Sequence, residues 1–233
     1  SNMLALKLGF SLNTIKPIGG WTPESETSAL AWWKKATGVT IEEGKLTDWV
    51  DQIGNNHNFR QPTEEERPTY TSSGTEEGTV TFDPDTTNNL EITNQITFAD
   101  NSAFTFGMRV NVVGTGSLFT DNTTAGEFIR IMSTTQLRIK LSNGSARNFD
   151  LSSGTWSDKK TIIVTRTTGG LITVLADGVA VGTQTDTAQL LIDNFGVRRT
   201  DLNPYDGSLL DASIFTDTNA TLTSNLQNYL KDL

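Results

Sequence analysis

Lys160-Thr-Ile-Ile-Val-Thr-Arg-Thr167, Thr168-Gly-Gly170, Leu171-Ile-Thr-Val-Leu-Ala176, Asp177-Gly178 and Val179-Ala-Val-Gly-Thr183 follow one another without a break. β-Branched residues recur through the runs, and two or three glycine-bearing residues separate each from the next. A branched Cβ fits the pleated surface of a strand better than the crowded turn of a helix. Asp-Gly supplies the positive φ angles of a two-residue hairpin. The stretch predicts three antiparallel strands in succession, with no room for a helix between them.

The same grammar extends outward. It predicts strands at Thr79–Phe82, Leu90–Thr93, Phe104–Val113, Ser117–Thr120, Glu127–Met132, Gln136–Leu141, Arg147–Leu151, Leu190–Phe195 and Ser208–Phe215. Asn143-Gly144 between two of these runs is read as a second tight hairpin. Hairpin spacing without alternating helices implies an all-β antiparallel sandwich or barrel. One helix is expected at the end, over Thr221–Leu233, with Leu222, Leu226, Tyr229, Leu230 and Leu233 on one face and Thr221 or Thr223 as its N-cap. Ser28–Ala36, SALAWWKKA, suits either a helix or a strand buried on both faces.

Ser1-Asn2 reads as the remnant of a cleaved expression tag. In residues 3–13 Leu4, Leu6, Leu8, Phe10 and Leu12 alternate with Ala5, Lys7, Gly9 and Ser11, the period of a strand with one apolar face. The stretch has no basic start and no small-residue cleavage site, so it is not read as a secretory signal. Lys16-Pro-Ile-Gly-Gly20 punctuates the chain. Residues 1–20 are accordingly taken as an N-terminal strand or anchor segment, and residues 21–233 as one body. An apolar strand edge must find a partner, so residues 3–20 are expected to pair with a second copy or another protein.

Composition removes several functions. The chain has 233 residues, no Cys and a single His, which excludes disulfide frameworks, Cys nucleophiles and multi-histidine zinc sites. A net charge of −9 argues against nucleic acid and anionic bilayers as partners, and no apolar run is long enough to span a membrane as a helix. His57 sits in the turn-like Gly54-Asn-Asn-His-Asn58 without a nucleophile elbow elsewhere, and reads as a turn histidine.

Two kinds of candidate site remain. Asp83, Asp85 and Asn88 could offer oxygen ligands to Ca²⁺, although the same residues serve equally as turn caps. Asp193, Asn194, Asp201, Asn203 and Asp206 form a second oxygen-rich stretch. Among the five tryptophans, Trp32 or Trp33, and Trp49, sit among apolar neighbours and read as core. Trp21 and Trp156 are flanked by Gly, Thr, Ser and Pro, and are the candidates for stacking on a sugar ring. The acidic runs Glu42-Glu43, Glu64-Glu65-Glu66 and Glu76-Glu77 read as solvated loop charge, since adjacent strand residues face opposite ways.

Leu30-Ala-Trp-Trp33, Lys45-Leu-Thr-Asp-Trp-Val-Asp-Gln-Ile-Gly-Asn-Asn-His-Asn58, Arg67-Pro-Thr-Tyr70 and Val80-Thr-Phe-Asp83 occur in that order. This series resembles the concanavalin A-like, laminin-G-like jelly-roll domains found in bacteriophage structural proteins. Their pattern runs Trp-x-Asp-x-Ser-Gly-Asn, Arg-Pro-Thr, Phe-Asp-Gly; Ile53 and Pro84 stand where Ser and Gly are usual. Lys160–Thr167 with Asp177-Gly178, and Asp206–Phe215 before the last helix, are similar too. The resemblance spans residues 28–233 and favours a strand at SALAWWKKA. It implies a sandwich of two curved antiparallel sheets, calcium at a rim in many members, and glycan-binding loops. It does not imply catalysis, and the Glu-x-Asp-x-Glu of jelly-roll glucanases is absent. The expected function is a non-enzymatic virion protein, on a tail, fibre or capsid surface, with recognition of a host-surface glycan. The alternatives are a calcium-assisted carbohydrate-binding or adhesion module acting extracellularly and, behind it, a glycoside hydrolase.

Overall fold

A computed structural model describes residues 20–123 and 126–233. The alternating strand of residues 3–13, and with it residues 3–19 of the anchor segment, lies outside the described residues.

The first strands are short: β1 Ala29–Trp33, β2 Val39–Glu42, β3 Lys45–Trp49, β4 Phe59–Arg60, β5 Thr69–Tyr70 and β6 Val80–Phe82. Longer ones follow: β7 Leu90–Phe98, β8 Phe104–Val112, β9 Gly116–Thr120, β10 Phe128–Ile131, β11 Gln136–Lys140 and β12 Ala146–Asp150. The remainder are β13 Asp158–Arg166, β14 Leu171–Ala176, β15 Val179–Thr185, β16 Leu190–Phe195, β17 Gly207–Phe215 and the helix α1 Ala220–Lys231. Every strand expected between Thr79 and Phe215 is present, and SALAWWKKA contains β1. The segment between Val39 and Tyr70 adds four short strands that periodicity did not reveal.

Every pairing between these strands is antiparallel. One run of neighbours is β1–β17–β8–β13–β14–β15. Another is β2–β3–β4–β7–β16–β9–β10–β11–β12. They are not separate: β6 pairs with the start of β17 and with β5, which meets β3 at Lys45↔Thr69. Among the described residues the ladders therefore form one connected antiparallel network, where the sequence suggested two distinct sheets. The link arises because β17 is nine residues long, so β1 takes its far end and leaves Gly207–Leu209 open to β6.

The two runs share one core. Phe119 of β9 touches Phe106 of β8 at 5.3 Å between ring centroids, and also meets Phe195, Trp33 and Phe59. Strand alternation then separates two faces. Ile162 and Val164 of β13 enter this core, while Ile163 turns the other way towards Phe215, Leu222, Leu226 and Leu230. That outer cluster seats α1. Gly107 of β8 is required there, because a Cβ would lie 2.4 Å from a methyl of Leu226.

Two local expectations need correction. The helix is capped by Asn219, whose Oδ1 accepts from Leu222 N at 2.9 Å, not by Thr221 or Thr223. Asn219 is extended (φ −157°) immediately before the helix, the geometry a cap needs, whereas Thr223 already bonds back to Asn219 O. Asp177 (φ 50°) and Gly178 (φ 83°) do form a two-residue hairpin between β14 and β15. In the Asn143-Gly144 turn, by contrast, only Gly144 has positive φ, and the β11–β12 connection is the longer loop 141–145.

The motif that suggested the fold acts as a fastener. Asp51 is 3% exposed, and its carboxylate accepts from the backbone N–H of Trp32 (3.0 Å), Ile53 (2.9 Å) and Asn55 (3.0 Å). Asn55 reaches back to Leu30 O, and Asn58 Oδ1 accepts from Asp51 N. Ile53 serves through its backbone N–H, so a hydroxyl there is unnecessary. Arg67 donates to Gln61 O and pairs with Glu42.

Candidate functional site

Trp21 lies in the segment leading to β1, held by its indole N–H donating to Glu26 Oε1 at 2.8 Å. Its ring packs against Phe215 (6.4 Å) and edge-on to Tyr229 of α1 (6.2 Å). Because Leu222, Leu226 and Leu230 anchor the helix, Asn225, Asn228 and Asp232 are carried along its flank. Trp21, Tyr229 and these three polar residues line an open depression of about 460 Å³.

Tyr229 is set from below. Its hydroxyl donates to Asp211 Oδ2 at 2.8 Å, and its ring meets Trp32 at 6.0 Å. Asp211 on β17 is fully buried and also accepts from Trp32 Nε1 (3.1 Å) and Lys35 N (2.9 Å). Burial pushes its carboxyl up to about 7, against the pull of those donors and of Lys34. Burial, and then the neighbouring Asp211, push the Tyr229 phenol upward too. The aromatic wall is thus braced by a buried polar cluster, which holds its geometry before any ligand arrives.

The opposite flank of α1 borders a groove of about 560 Å³, lined by Thr165, Thr167, Thr173, Thr223, Ser224 and Gln227 among others. The buried Oε1 of Gln227 has no hydrogen-bond partner among the described residues. Both flanks offer hydroxyls, amides or aromatic rings in place of charge pairs. This chemistry suits a polyhydroxylated ligand, which presents C–H faces to rings and O–H groups to amides.

Trp21 is thereby placed on a half-exposed wall. Trp156 is not: it is fully buried and offers no face to a sugar. Its Gly, Ser and Thr neighbours mark a loop, but the side chain points into the shared core. The oxygen-rich residues work mainly as stitching. Asp83 Oδ1 accepts from Asp85 N, and Asn88 Oδ1 accepts from Asp83 N. Asp83 and Asp85 do approach Asp206, whose carboxyl is raised by burial first and by these two acids second. In the second stretch, Asp193 accepts from Asn122 N, Asp201 from Asn122 Nδ2, and Asn203 from Arg198 Nε. Asn194 is buried against Asn89. Among the described residues, no group of three or more His, Cys, Asp or Glu is arranged to hold a metal. His57 bonds Asn94 O through Nδ1, and its own carbonyl accepts from Trp33 Nε1. Glu127, 1% exposed, accepts from Leu191 N, and its carboxyl is raised chiefly by burial.

Tyr229 was legible only as a member of the helix's apolar face. The signal for its neighbours was present: Asn225 and Asn228 lie three apart, and Tyr229 is four from Asn225, so all share one flank.

Comparison with known proteins adds the following. No protein-family model matches the chain. A search of curated proteins finds no match either. Solved structures do match, at low identity. The binding domain of Paraclostridial Mosquitocidal Protein 1 aligns over 91% of this chain with a TM-score of 0.59 and 14% identity. This chain spans about half of that one, 53%. Domain 4 of AbnA, a GH43 extracellular arabinanase from Geobacillus stearothermophilus in complex with arabinotriose, aligns with TM-score 0.61 and 12% identity over 86% of this chain and 97% of its own. A botulinum neurotoxin type C structure, whose cell entry depends on two ganglioside molecules, aligns with TM-score 0.51 and 15% identity over 87% of this chain and 51% of its own. At these identities the likeness is one of fold.

Proposed function

We propose that this chain is a non-catalytic saccharide-recognition domain whose sugar face is the Trp21 depression. The observation that carries it is a half-exposed indole beside Tyr229, with Asn225, Asn228 and Asp232 at the margin of one open hollow. The matched solved structures support the reading, since one holds arabinotriose and another concerns gangliosides. Strand runs facing each other across one core support a two-layer jelly-roll description, with β6 and β5 as the hinge between layers. The test is a glycan array probed with the chain and with Trp21→Ala, in calcium and in chelator. We expect retention of a neutral oligosaccharide, weakened at least tenfold by the substitution. An array that stays blank in both buffers, or retention unchanged in Trp21→Ala, removes the reading. Equal retention in calcium and chelator assigns the rim oxygens at Asp83, Asp85 and Asn88 to the turn alone.

A virion setting is favoured by a separate observation, the ordered motif series from Leu30 to Asp83. On that reading the chain is displayed on a tail, fibre or capsid surface, and residues 3–20 dock it to a second copy or a neighbouring virion protein. Sedimentation of the full chain against one starting at Gly20 tests the docking role, and an unchanged assembly state counts against it.

A further inference from the structure

A second polar surface lies on β10 and β11. Arg130 and Arg138 stand directly opposite each other across this strand pair. Phe128, two residues before Arg130 and on the same face, is covered by the Arg198 guanidinium at 4.7 Å from its ring centroid. Three guanidinium groups thus share one patch of a chain whose net charge is −9.

Among the described residues none of the three makes an ion pair; the ion pairs there involve Arg67, Arg109, Arg147, Lys159 and Lys160. Residues 1–19 and 124–125 contain no Asp or Glu, so they hold no side-chain carboxylate that could supply the missing counter-charge. Arg138 is held by neutral amides, donating from Nε to Asn148 Oδ1 (2.7 Å) and from Nη2 to Gln136 Oε1 (3.4 Å). Arg198 donates from Nε to Asn203 Oδ1 (2.9 Å) and from Nη1 to Gly126 O (3.5 Å). Arg130 makes no ion pair or hydrogen bond among the described residues, and its Nε is buried without a partner. Burial lowers the Arg130 guanidinium first, and Arg198 and Arg138 lower it further. Arginine nevertheless stays charged in proteins. The folded chain therefore carries the cost of clustered like charge, with the Arg130 donors unused among the described residues.

We propose that the face formed by Arg130, Arg138 and Arg198 binds the oxyanion group, carboxylate or sulfate, of an acidic saccharide. A guanidinium presents paired N–H donors in a plane, which match two oxygens of such a group. The remaining charge of the chain disfavours a long phosphate backbone, while a local cationic spot suits a group-sized anion. The arginine patch and the Trp21 depression share no residue, so anion binding does not rest on the reading above.

The experiment is calorimetric titration of the full chain with oligogalacturonate, its methyl ester, dextran sulfate, neutral dextran and single-stranded DNA, at 0.05 and 0.15 M salt. We expect an acidic sugar chain to bind, and the ester and neutral dextran to bind at least tenfold more weakly. Arg130→Gln and Arg198→Gln should each weaken binding about fivefold or more, and Lys159→Gln, which removes a cation of β13 outside the patch, should leave it unchanged. The stronger of the carboxylate and sulfate arms identifies the group. Should Arg130→Gln fail to fold, Arg198→Gln on the covering loop carries the test alone, with an unchanged melting profile required. Equal binding of acid and ester, no binding of either acidic chain, DNA binding as tightly as the sugars, or a folded Arg198→Gln that binds like the wild type would each overturn the proposal.

Discussion

Asp211 makes a strong prediction because its burial is complete and its partners come from β1, the turn after it and α1. Its carboxyl titrates near 7 in the folded chain, against an ordinary value of 3.8. The difference of about 3 units corresponds to roughly 4 kcal/mol between protonation states. The sign follows from the direction. Below about pH 4 the group is protonated whether the chain is folded or unfolded, and it exacts no penalty. Between about 4 and 7 the unfolded chain releases the proton while the folded chain retains it, so stability falls as pH rises. Above about 7 both forms are ionised and the loss is complete. Asp211→Asn cannot ionise and keeps an oxygen acceptor for Trp32 or Lys35. Urea unfolding from pH 4 to 8.5 should show the variant gaining on the wild type through this window, by up to about 4 kcal/mol in total. Comparing the two chains cancels the titration of every other acid. A difference that stays flat from pH 4 to 8.5 refutes the assignment.

Two further outcomes follow from buried hydrogen bonds. Asp51→Ala leaves three backbone N–H groups without their acceptor and should cost about 3–5 kcal/mol in urea unfolding; a loss under about 1 kcal/mol contradicts the fastener role. Trp33→Phe and Trp156→Phe shrink similarly buried rings, but only Trp33 gives up a bond, to His57 O. Trp33→Phe should therefore cost about 1 kcal/mol more, and a larger loss at Trp156 would count against that reasoning.

The strands from Val80 to Phe215 were legible because each carries its own period and punctuation. Leu171–Ala176 and Leu190–Phe195 were delimited to the residue. Val39–Tyr70 hid its strands, since β4 and β5 have two residues each and are defined by partners far along the chain. The site was less legible for a related reason. Trp21 could be suspected from its polar neighbours, yet the same cue misplaced Trp156, because flanking composition reports the loop and not the direction of the side chain. The arginine patch was invisible: Arg130, Arg138 and Arg198 converge only through strand register and a loop folded over Phe128.

The placement of the five indoles also gives the chain a built-in optical probe. Trp32, Trp33, Trp49 and Trp156 are sealed at 0–1% exposure, leaving Trp21 to meet the solvent. Iodide or acrylamide should therefore extinguish one class of emitter and spare the others. A sugar seated on that ring would shield it, so the quenchable share of the emission reads occupancy directly, without a label.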